Sequence, residues 1–223
     1  MMFLGDRRAA RNRSHFIYIT GADGTGKSTQ AQLLLERLRR QGVRCRHVWL
    51  RFPFFLSVPL LAYARWRGFS WVEKHGSTRH GYWDFQSSPL LRALLPWSVL
   101  FDAALAAAFR IYWPLCTGRT VVCERFVLDM LVDLMVAFGS RMMHRKMPGT
   151  FYRYLIPRRA SIVILGLDAT TIRQRRPDLK TDRRLESRLR AFHQLASDLG
   201  LARLSTERPV CAVQEQIVRF AEG

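Results

Sequence analysis

Short apolar runs alternate with longer amphipathic segments along this 223-residue chain. Five runs have the length and composition of buried strands: 15–20, 43–50, 120–123, 161–167 and 201–204. The segment 29–41 repeats leucines at helical spacing and stops at Gly42, which is a helix with a C-terminal glycine signal. Similar patterns predict a helix over 127–138, a second that follows residue 184 and ends near residue 199, and a third over 212–221. Alternating strands and helices predict an α/β fold, with a parallel sheet of about five strands and helices on both faces.

The middle of the chain follows a less regular pattern. Residues 51–96 are rich in proline and aromatic side chains, and the polar stretch 73–88 within them is interpreted as a loop. The segment 97–116 predicts a long buried helix that is closed by Gly118.

Two apolar stretches, 52–64 and 93–109, are candidates for membrane spans. Both carry prolines and are shorter than the roughly 20 residues that a spanning helix needs. They are therefore interpreted as core helices. With no repeat and no linker, the sequence predicts one domain over 15–223 behind a basic tail, 1–14.

The clearest chemical signal lies directly after the first predicted strand. The sequence Gly21-Ala22-Asp23-Gly24-Thr25-Gly26-Lys27-Ser28 satisfies the pattern G-x-x-x-x-G-K-[ST] and is followed by Thr29 and a predicted helix. The glycines let backbone amides wrap a phosphate, and the helix N-terminus adds its positive dipole end. Lys27 can reach the β- and γ-phosphates, and the Ser28 hydroxyl can bind Mg²⁺. The motif therefore predicts an ATP site formed by residues 21–29.

Other features narrow the class of P-loop protein. GTPases read guanine with an Asn-Lys-x-Asp element, but the only asparagine here is Asn12, upstream of the motif. No ABC-type signature is present, and the small size favours a nucleotide or metabolite kinase.

Several elements in order along the chain resemble the thymidylate (dTMP) kinase family. They are the P-loop with Asp23, Arg51-Phe52-Pro53 after the second strand, Leu100-Phe101 on the long helix, Glu124-Arg125-Phe126 after the third strand, and the arginine-rich segment 173–184 with Glu186. The resemblance implies a P-loop kinase fold with an arginine-rich lid over about 173–184. It implies a cytoplasmic enzyme that uses ATP and Mg²⁺ to phosphorylate dTMP in dTDP biosynthesis, and a homodimer formed through the long helices.

The resemblance also implies roles for individual residues. Asp23 would position the acceptor sugar or a metal-bound water, and Arg125 would grip the acceptor monophosphate as a bidentate guanidinium. Glu124 and Ser28 would hold Mg²⁺. Phe101 would stack on the acceptor base.

Further roles concern the acceptor and the transferred phosphate. Arg51 and Phe52 would contact the substrate. The P-loop carries no basic residue at its variable positions, so Arg173 and Arg176 of the lid would neutralise the transferred phosphoryl group.

Two positions depart from the family pattern. The base-reading arginine of the family would fall at Leu105, and a polar residue facing the base at Met130, so the sequence leaves the acceptor open. One alternative is a kinase of the same fold that acts on a nucleoside or a non-nucleotide metabolite. Glu124-Arg125 with Asp129 also resembles deoxynucleoside kinases, but no acidic residue follows the second strand where those enzymes place their base.

The net charge adds a question about partners. The chain has 36 Lys and Arg against 17 Asp and Glu, a net charge of +19, which attracts polyanions. No helix-turn-helix, zinc-finger or RNP motif accompanies the charge. The apolar, arginine-containing stretch 52–71 leaves a second alternative, an ATP-binding regulatory protein that contacts a membrane surface without turnover. Four cysteines without metal or disulfide spacing indicate reduced, cytoplasmic thiols.

Overall fold

The computed structural model describes residues 15–52, 55–75 and 78–222, so the predicted tail 1–14 lies outside it. Its strands are β1 (Phe16–Gly21), β2 (Cys45–Trp49), β3 (Ser70–His75), β4 (Thr78–Trp83), β5 (Thr120–Glu124), β6 (Ala160–Gly166) and β7 (Ala202–Ser205). Five of them form one parallel sheet in the order β2-β5-β1-β6-β7. The predicted five-strand parallel sheet is confirmed.

Helices cover both faces of this sheet. They are α1 (Lys27–Arg40), α2 (Ser57–Trp66), α3 (Pro89–Ala107), α4 (Val127–Ala137), α5 (Gly149–Tyr152), α6 (Ala169–Arg175), α7 (Leu185–Leu199) and α8 (Val210–Glu222). Alternate residues of β1 point to opposite faces: Ile17 and Ile19 pack with α1 and α8, while Phe16 and Tyr18 pack with α3, α4 and α7. The P-loop at the end of β1 is thereby fixed between two cores.

A hairpin replaces the loop predicted over 73–88. Strands β3 and β4 pair antiparallel, with Trp71 opposite Tyr82 and their ring centroids 5.8 Å apart. The loop prediction was wrong for the two strands, because the segment is polar in composition whereas the pairing is held by cross-strand aromatic contact; residues 84–88 do form a loop. The hairpin contacts the arginine-rich lid at two points. The His80 Nε2 atom lies 3.0 Å from the Thr181 hydroxyl, and the backbone N–H of Arg183 donates to the Tyr82 hydroxyl.

Helix α3 is longer than the sequence predicts. It begins at Pro89, with the Ser88 side chain as its N-cap, and runs on through a π-helical stretch, Ala108–Tyr112, and a last turn, Trp113–Cys116. Pro96 lies inside the helix and interrupts the pattern that would have revealed its start.

This helix is longer than the apolar stretch 93–109, which from its sequence is too short to span a membrane. The helical segment spans 28 residues, an 18-residue stretch of it has a mean hydropathy of 1.5, and by length and composition it could cross a membrane. One face packs into the core through Leu91, Leu95, Val99, Ala103, Ala107 and Ile111. The opposite face is exposed, so the prediction of a buried helix holds for one face only.

Asp102 on α3 anchors the chain that follows β2. Its carboxylate accepts hydrogen bonds from the backbone N–H groups of Phe55, Leu56 and Ser57 at 2.8–3.0 Å, and from the Ser57 hydroxyl at 2.6 Å. These contacts satisfy the free N–H groups at the start of α2. Phe52 adopts a left-handed φ of 48° just before this anchor. The segment that carries Arg51 is therefore held against α3.

Candidate active site

The P-loop is folded around its own backbone. The Thr25 hydroxyl donates to the Ala22 carbonyl at 2.9 Å, and Lys27 Nζ donates to the same oxygen at 2.5 Å. Gly21 and Gly24 have φ values of 142° and 85°, a region that side chains disfavour, and a Cβ on Gly21 would lie 2.3 Å from the Leu165 carbonyl oxygen. The loop geometry therefore requires these glycines.

Lys27 is held in a buried position at the start of α1. Burial lowers the pKa of its amine to about 8, even though the carboxylates of Asp129 and Glu124 act to raise it. Ser28 and Thr29 follow in the first turn of the helix. A buried ammonium group is costly unless it is paired, so a bound phosphate would stabilise the charged form of Lys27.

Ser28 and Glu124 form a compact oxygen pair where β1 and β5 end. The Ser28 hydroxyl donates to Glu124 Oε1 at 2.5 Å, and His47 Nε2 lies 3.5 Å from the other carboxylate oxygen. Within residues 15–52, 55–75 and 78–222, no group of three or more His, Cys, Asp or Glu side chains could hold a metal alone. Hydroxyl and carboxylate oxygens fit Mg²⁺, which completes its shell with water and substrate phosphates.

Two arginines converge on Asp23 beside the P-loop. The Arg125 guanidinium makes an ion pair with Asp23, and Arg51 Nη1 lies 3.7 Å from the second oxygen of the same carboxylate. Arg125 has a left-handed φ of 64°, which is strained for a side chain of its size. This turn directs the guanidinium across the end of the sheet toward the P-loop.

Buried Asp129, on α4, lies close to Arg125 and is held by a network of hydrogen bonds. One of its carboxylate oxygens accepts from the hydroxyls of Tyr18 and Thr20, at 2.8 and 2.7 Å, and from the backbone N–H of Phe126 at 3.1 Å. The other oxygen has no hydrogen bond in the described residues and lies 3.7 Å from Arg125 Nη1. Burial raises the pKa of Asp129, and the nearby Arg125 and Lys27 act against that rise.

A cavity of about 210 Å³ opens next to this charged cluster. Its walls come from the hairpin, α3 and α4, and its apolar lining includes Leu61, Trp83, Phe85, Leu95, Val99 and Leu134. Four charged side chains also line it: Arg51, Asp133, Arg184 and Arg188. An apolar cavity with a few polar groups beside a phosphate-binding loop has the form of an acceptor site.

The structure brings most of the sequence-predicted residues together, but not Phe101. Arg51 and Phe52 line the cavity, and Arg125 and Glu124 lie at the P-loop. Phe101 lies on the outer face of α3, 53 % exposed, and is not among the cavity-lining residues. Leu105 shares that outer face, and Met130 is fully buried in the core.

The two lid arginines named from the sequence are engaged with carboxylates. Arg173 Nη2 lies 2.9 Å from Glu186, and Arg176 makes two hydrogen bonds of 2.8 Å to Asp178. The stem of Arg176 lies beside the P-loop, because a Cβ on Gly24 would be 3.5 Å from Arg176 Cγ. In this conformation the lid therefore touches the P-loop through Arg176.

Sequence reasoning missed Asp133 and Arg188. Arg51 donates to Asp133 Oδ2 through Nε at 3.0 Å, and Arg188 Nε lies 3.5 Å from Asp133 Oδ1. Arg188 also donates to Asp182 at 2.5 Å. The available signal was the spacing of Asp129 and Asp133, which places two acids on one face of an otherwise apolar helix.

Comparison with known proteins decides the family. A thymidylate kinase from Symbiobacterium thermophilum is 30% identical over 234 aligned residues, which cover 94% of this chain and 93% of the relative. The chain belongs to the thymidylate kinase family. This thymidylate kinase family member is thus a P-loop, nucleotide-binding phosphotransferase of the nucleoside monophosphate kinase class, as the sequence resemblance implied.

Two further comparisons complete the picture. The crystal structure of thymidylate kinase from Ehrlichia chaffeensis matches with a TM-score of 0.53 and 17% identity, over 92% of this chain and 97% of that one. At that identity the match concerns the fold, which it shares. No protein-family model matches the chain.

Proposed function

We propose that this family member transfers the γ-phosphoryl group of ATP to dTMP or a related pyrimidine nucleoside monophosphate, giving the diphosphate and ADP. The observation that carries the proposal is the position of Asp23, a P-loop residue that also pairs with Arg125 and contacts Arg51. The donor-phosphate site and a cluster suited to an acceptor phosphate therefore adjoin each other at Asp23. The named activity of the Symbiobacterium relative supports the same acceptor.

The chemistry needs position and charge more than covalent catalysis. Lys27 and the N-terminus of α1 bind the β- and γ-phosphates, and the acceptor phosphate oxygen attacks in line without a general base. Arg125 and Arg51 bind that acceptor phosphate once their contacts with Asp23 loosen. Ser28 and Glu124 would hold Mg²⁺, which would neutralise charge on the donor phosphates.

The lid arginines complete the positive surround of the moving phosphoryl group. Arg176 already lies beside Gly24, and its partner Asp178 is an exposed residue. Exposed ion pairs are weak, so exchange of Asp178 for a phosphate oxygen costs little. Arg173, paired with exposed Glu186, can reorganise in the same way.

The exposed face of α3 supports a homodimer. Its large apolar residues recur every four positions: Trp97, Phe101, Leu105, Phe109 and Trp113. A stripe of this size on a water-facing helix indicates a protein interface. We expect Phe101→Glu to convert the dimer to a monomer in sedimentation velocity, while Arg119→Glu, on an exposed residue outside the stripe, leaves the dimer intact; a monomeric native chain would contradict this.

The cysteines support a cytoplasmic enzyme. All four, Cys45, Cys116, Cys123 and Cys211, are free, which suits a reducing compartment.

The direct test measures ADP release with Mg-ATP over a panel of acceptors: dTMP, dUMP, dCMP, purine monophosphates and nucleosides. The expected result is turnover that is fastest with a pyrimidine monophosphate and lost in Lys27→Ala. ATP binding without turnover on any nucleotide would overturn the proposal, and turnover only on a nucleoside would assign the chain to another reaction.

A further inference from the structure

Arg184 lies where the lid ends and α7 begins, against the hairpin. Its guanidinium carbon lies 5.4 Å from the ring centroid of Tyr82 and 5.9 Å from that of Trp71. These two rings are cross-strand partners on β3 and β4. A planar cation held against two aromatic rings has a restricted orientation, because stacking and cation–π attraction favour few rotamers.

The donors of Arg184 are unused in the described part of the chain. Its side chain makes no hydrogen bond or salt bridge there, although it is half-buried. The other two arginines of the cavity are engaged, Arg51 by Asp133 and Arg188 by Asp133 and Asp182. Desolvation lowers the pKa of Arg184 but leaves it charged at neutral pH. A partly desolvated donor without an acceptor is costly, so the site gains when a ligand supplies one.

The position of Arg184 separates it from the phosphate machinery. Arg51, Asp133 and Arg188 line both the acceptor cavity and the small cleft that contains Asp23 and Arg125. Arg184 lines the cavity but not that cleft. An acceptor whose phosphate lies at Arg125 therefore extends its distal end toward Arg184.

The rest of that distal region offers few hydrogen bonds. Leu95, Val99, Leu134 and Val136 form apolar walls. Leu105 and Met130, the two positions where the sequence lacks base-reading groups, lie on the outer face of α3 and in the core. Apolar walls suit a pyrimidine ring and its 5-methyl group but do not distinguish one exocyclic group from another.

We propose that Arg184 determines base specificity by donating a hydrogen bond to the keto oxygen at position 4 of thymine or uracil. A guanidinium has donors and no acceptor, so it fits a 4-keto group and faces a donor in the 4-amino group of cytosine. The inference rests on the proposed function, since it assumes a nucleoside monophosphate in the cavity.

Steady-state kinetics with three acceptors test it: dTMP, dCMP and the 2-pyrimidinone deoxynucleotide, which lacks any group at position 4. The full-length chain is compared with Arg184→Met and with a matched control, Arg67→Met, whose exposed arginine also lies over an aromatic ring, that of Trp66, but does not line the cavity. Arg184→Met should raise KM for dTMP by about 10- to 100-fold, because a hydrogen bond to a charged donor is lost. KM for the 2-pyrimidinone nucleotide and kcat with dTMP should stay within about 3-fold, less than one such bond is worth. Arg67→Met should behave as the native chain.

Other outcomes overturn the inference in distinguishable ways. An equal rise in KM for all three acceptors would make Arg184 a structural residue. A fall in kcat at unchanged KM would make it a lid arginine that contacts the transferred phosphate. Unchanged kinetics in a chain that phosphorylates dTMP would refute the base contact and leave the proposed function intact, whereas no turnover by the native chain would refute both.

A second variant guards against misfolding. Arg184→Lys keeps the stem and the charge but loses the fork, and it should raise KM for dTMP less than Arg184→Met does. ATP binding by each variant confirms that the P-loop half is folded. A lysine variant with a larger effect than the methionine variant would contradict donation at position 4.

Discussion

The two halves of the active site are built in different ways. The donor half consists of nine consecutive residues, 21–29, and the shape of this loop is held by contacts to its own backbone, as when Thr25 and Lys27 both donate to Ala22. Two of its side chains, Asp23 and Ser28, contact residues outside the loop. The acceptor half draws on β4, α3, α4 and α7, and its guanidiniums are held by carboxylates from distant positions, as Arg51 is by Asp133. The donor half depends on local geometry, and the acceptor half depends on the whole fold. Substitutions should therefore separate the two halves.

Loss of Lys27 should have the largest effect. Lys27→Ala removes the cation on the β- and γ-phosphates, and kcat should fall by about 10³-fold or more. The coupled ADP assay with saturating acceptor measures it. Lys146→Ala, at an exposed lysine far along the chain, is the control and should keep native kcat. A Lys27→Ala enzyme that retained a tenth of the native rate would contradict the donor-site assignment.

Asp129 links the acceptor half to the core, so its loss should act on stability. Asp129→Ala leaves the hydroxyls of Tyr18 and Thr20 without their acceptor and Arg125 without its nearest buried carboxylate. The free energy of unfolding should fall by about 3 kcal/mol, measured by urea denaturation. Asp133→Ala, at a more exposed carboxylate, should cost about 1 kcal/mol or less. Equal losses would mean that burial does not distinguish the two acids.

Arg125 offers the sharpest contrast between the halves. Arg125→Met should raise KM for the acceptor by about 100-fold, because a bidentate charge-assisted contact to its phosphate is lost. KM for ATP should stay near the native value. Initial rates with each substrate varied in turn measure both constants, and Arg119→Met, an exposed arginine before β5, is the control. A rise confined to ATP would reverse the assignment of the halves.

The pH dependence of ATP binding tests the buried amine. Because burial lowers the pKa of Lys27 to about 8, the free protein loses this cation as pH rises through 8. The ATP dissociation constant should rise by about 10-fold between pH 7 and pH 9, as the competent, protonated fraction falls. Calorimetry at pH 8.5 in buffers of different ionisation enthalpy should detect proton uptake on binding. Binding without proton uptake would place the pKa of Lys27 well above 8.5.

The same contrast explains what could be predicted from sequence. The P-loop, Glu124 and Arg125 follow strand ends within a recognisable local pattern, so their placement needs little beyond the order of elements. The five strands of the parallel sheet were also predicted by the hydrophobic periodicity, whereas their order in the sheet was not.

The arrangement of the acceptor half could not be predicted from the sequence. Phe101 was assigned to the base because Leu100-Phe101 resembles a segment of the family. Which face of α3 turns inward, however, depends on packing and on the contact of Asp102 with the start of α2. The hairpin depends on pairing Trp71 with Tyr82 across ten intervening, mostly polar residues. The position of Arg184 against the rings of Trp71 and Tyr82 can be recognised only when the hairpin is known.

Product identification after incubation with Mg-ATP and dTMP tests the central claim most directly. If donor and acceptor phosphates meet at Asp23, anion-exchange chromatography should resolve dTDP and ADP in equal amounts, and neither should form with Lys27→Ala. ADP formed without dTDP, or no conversion of dTMP by a chain that binds ATP, would contradict the account.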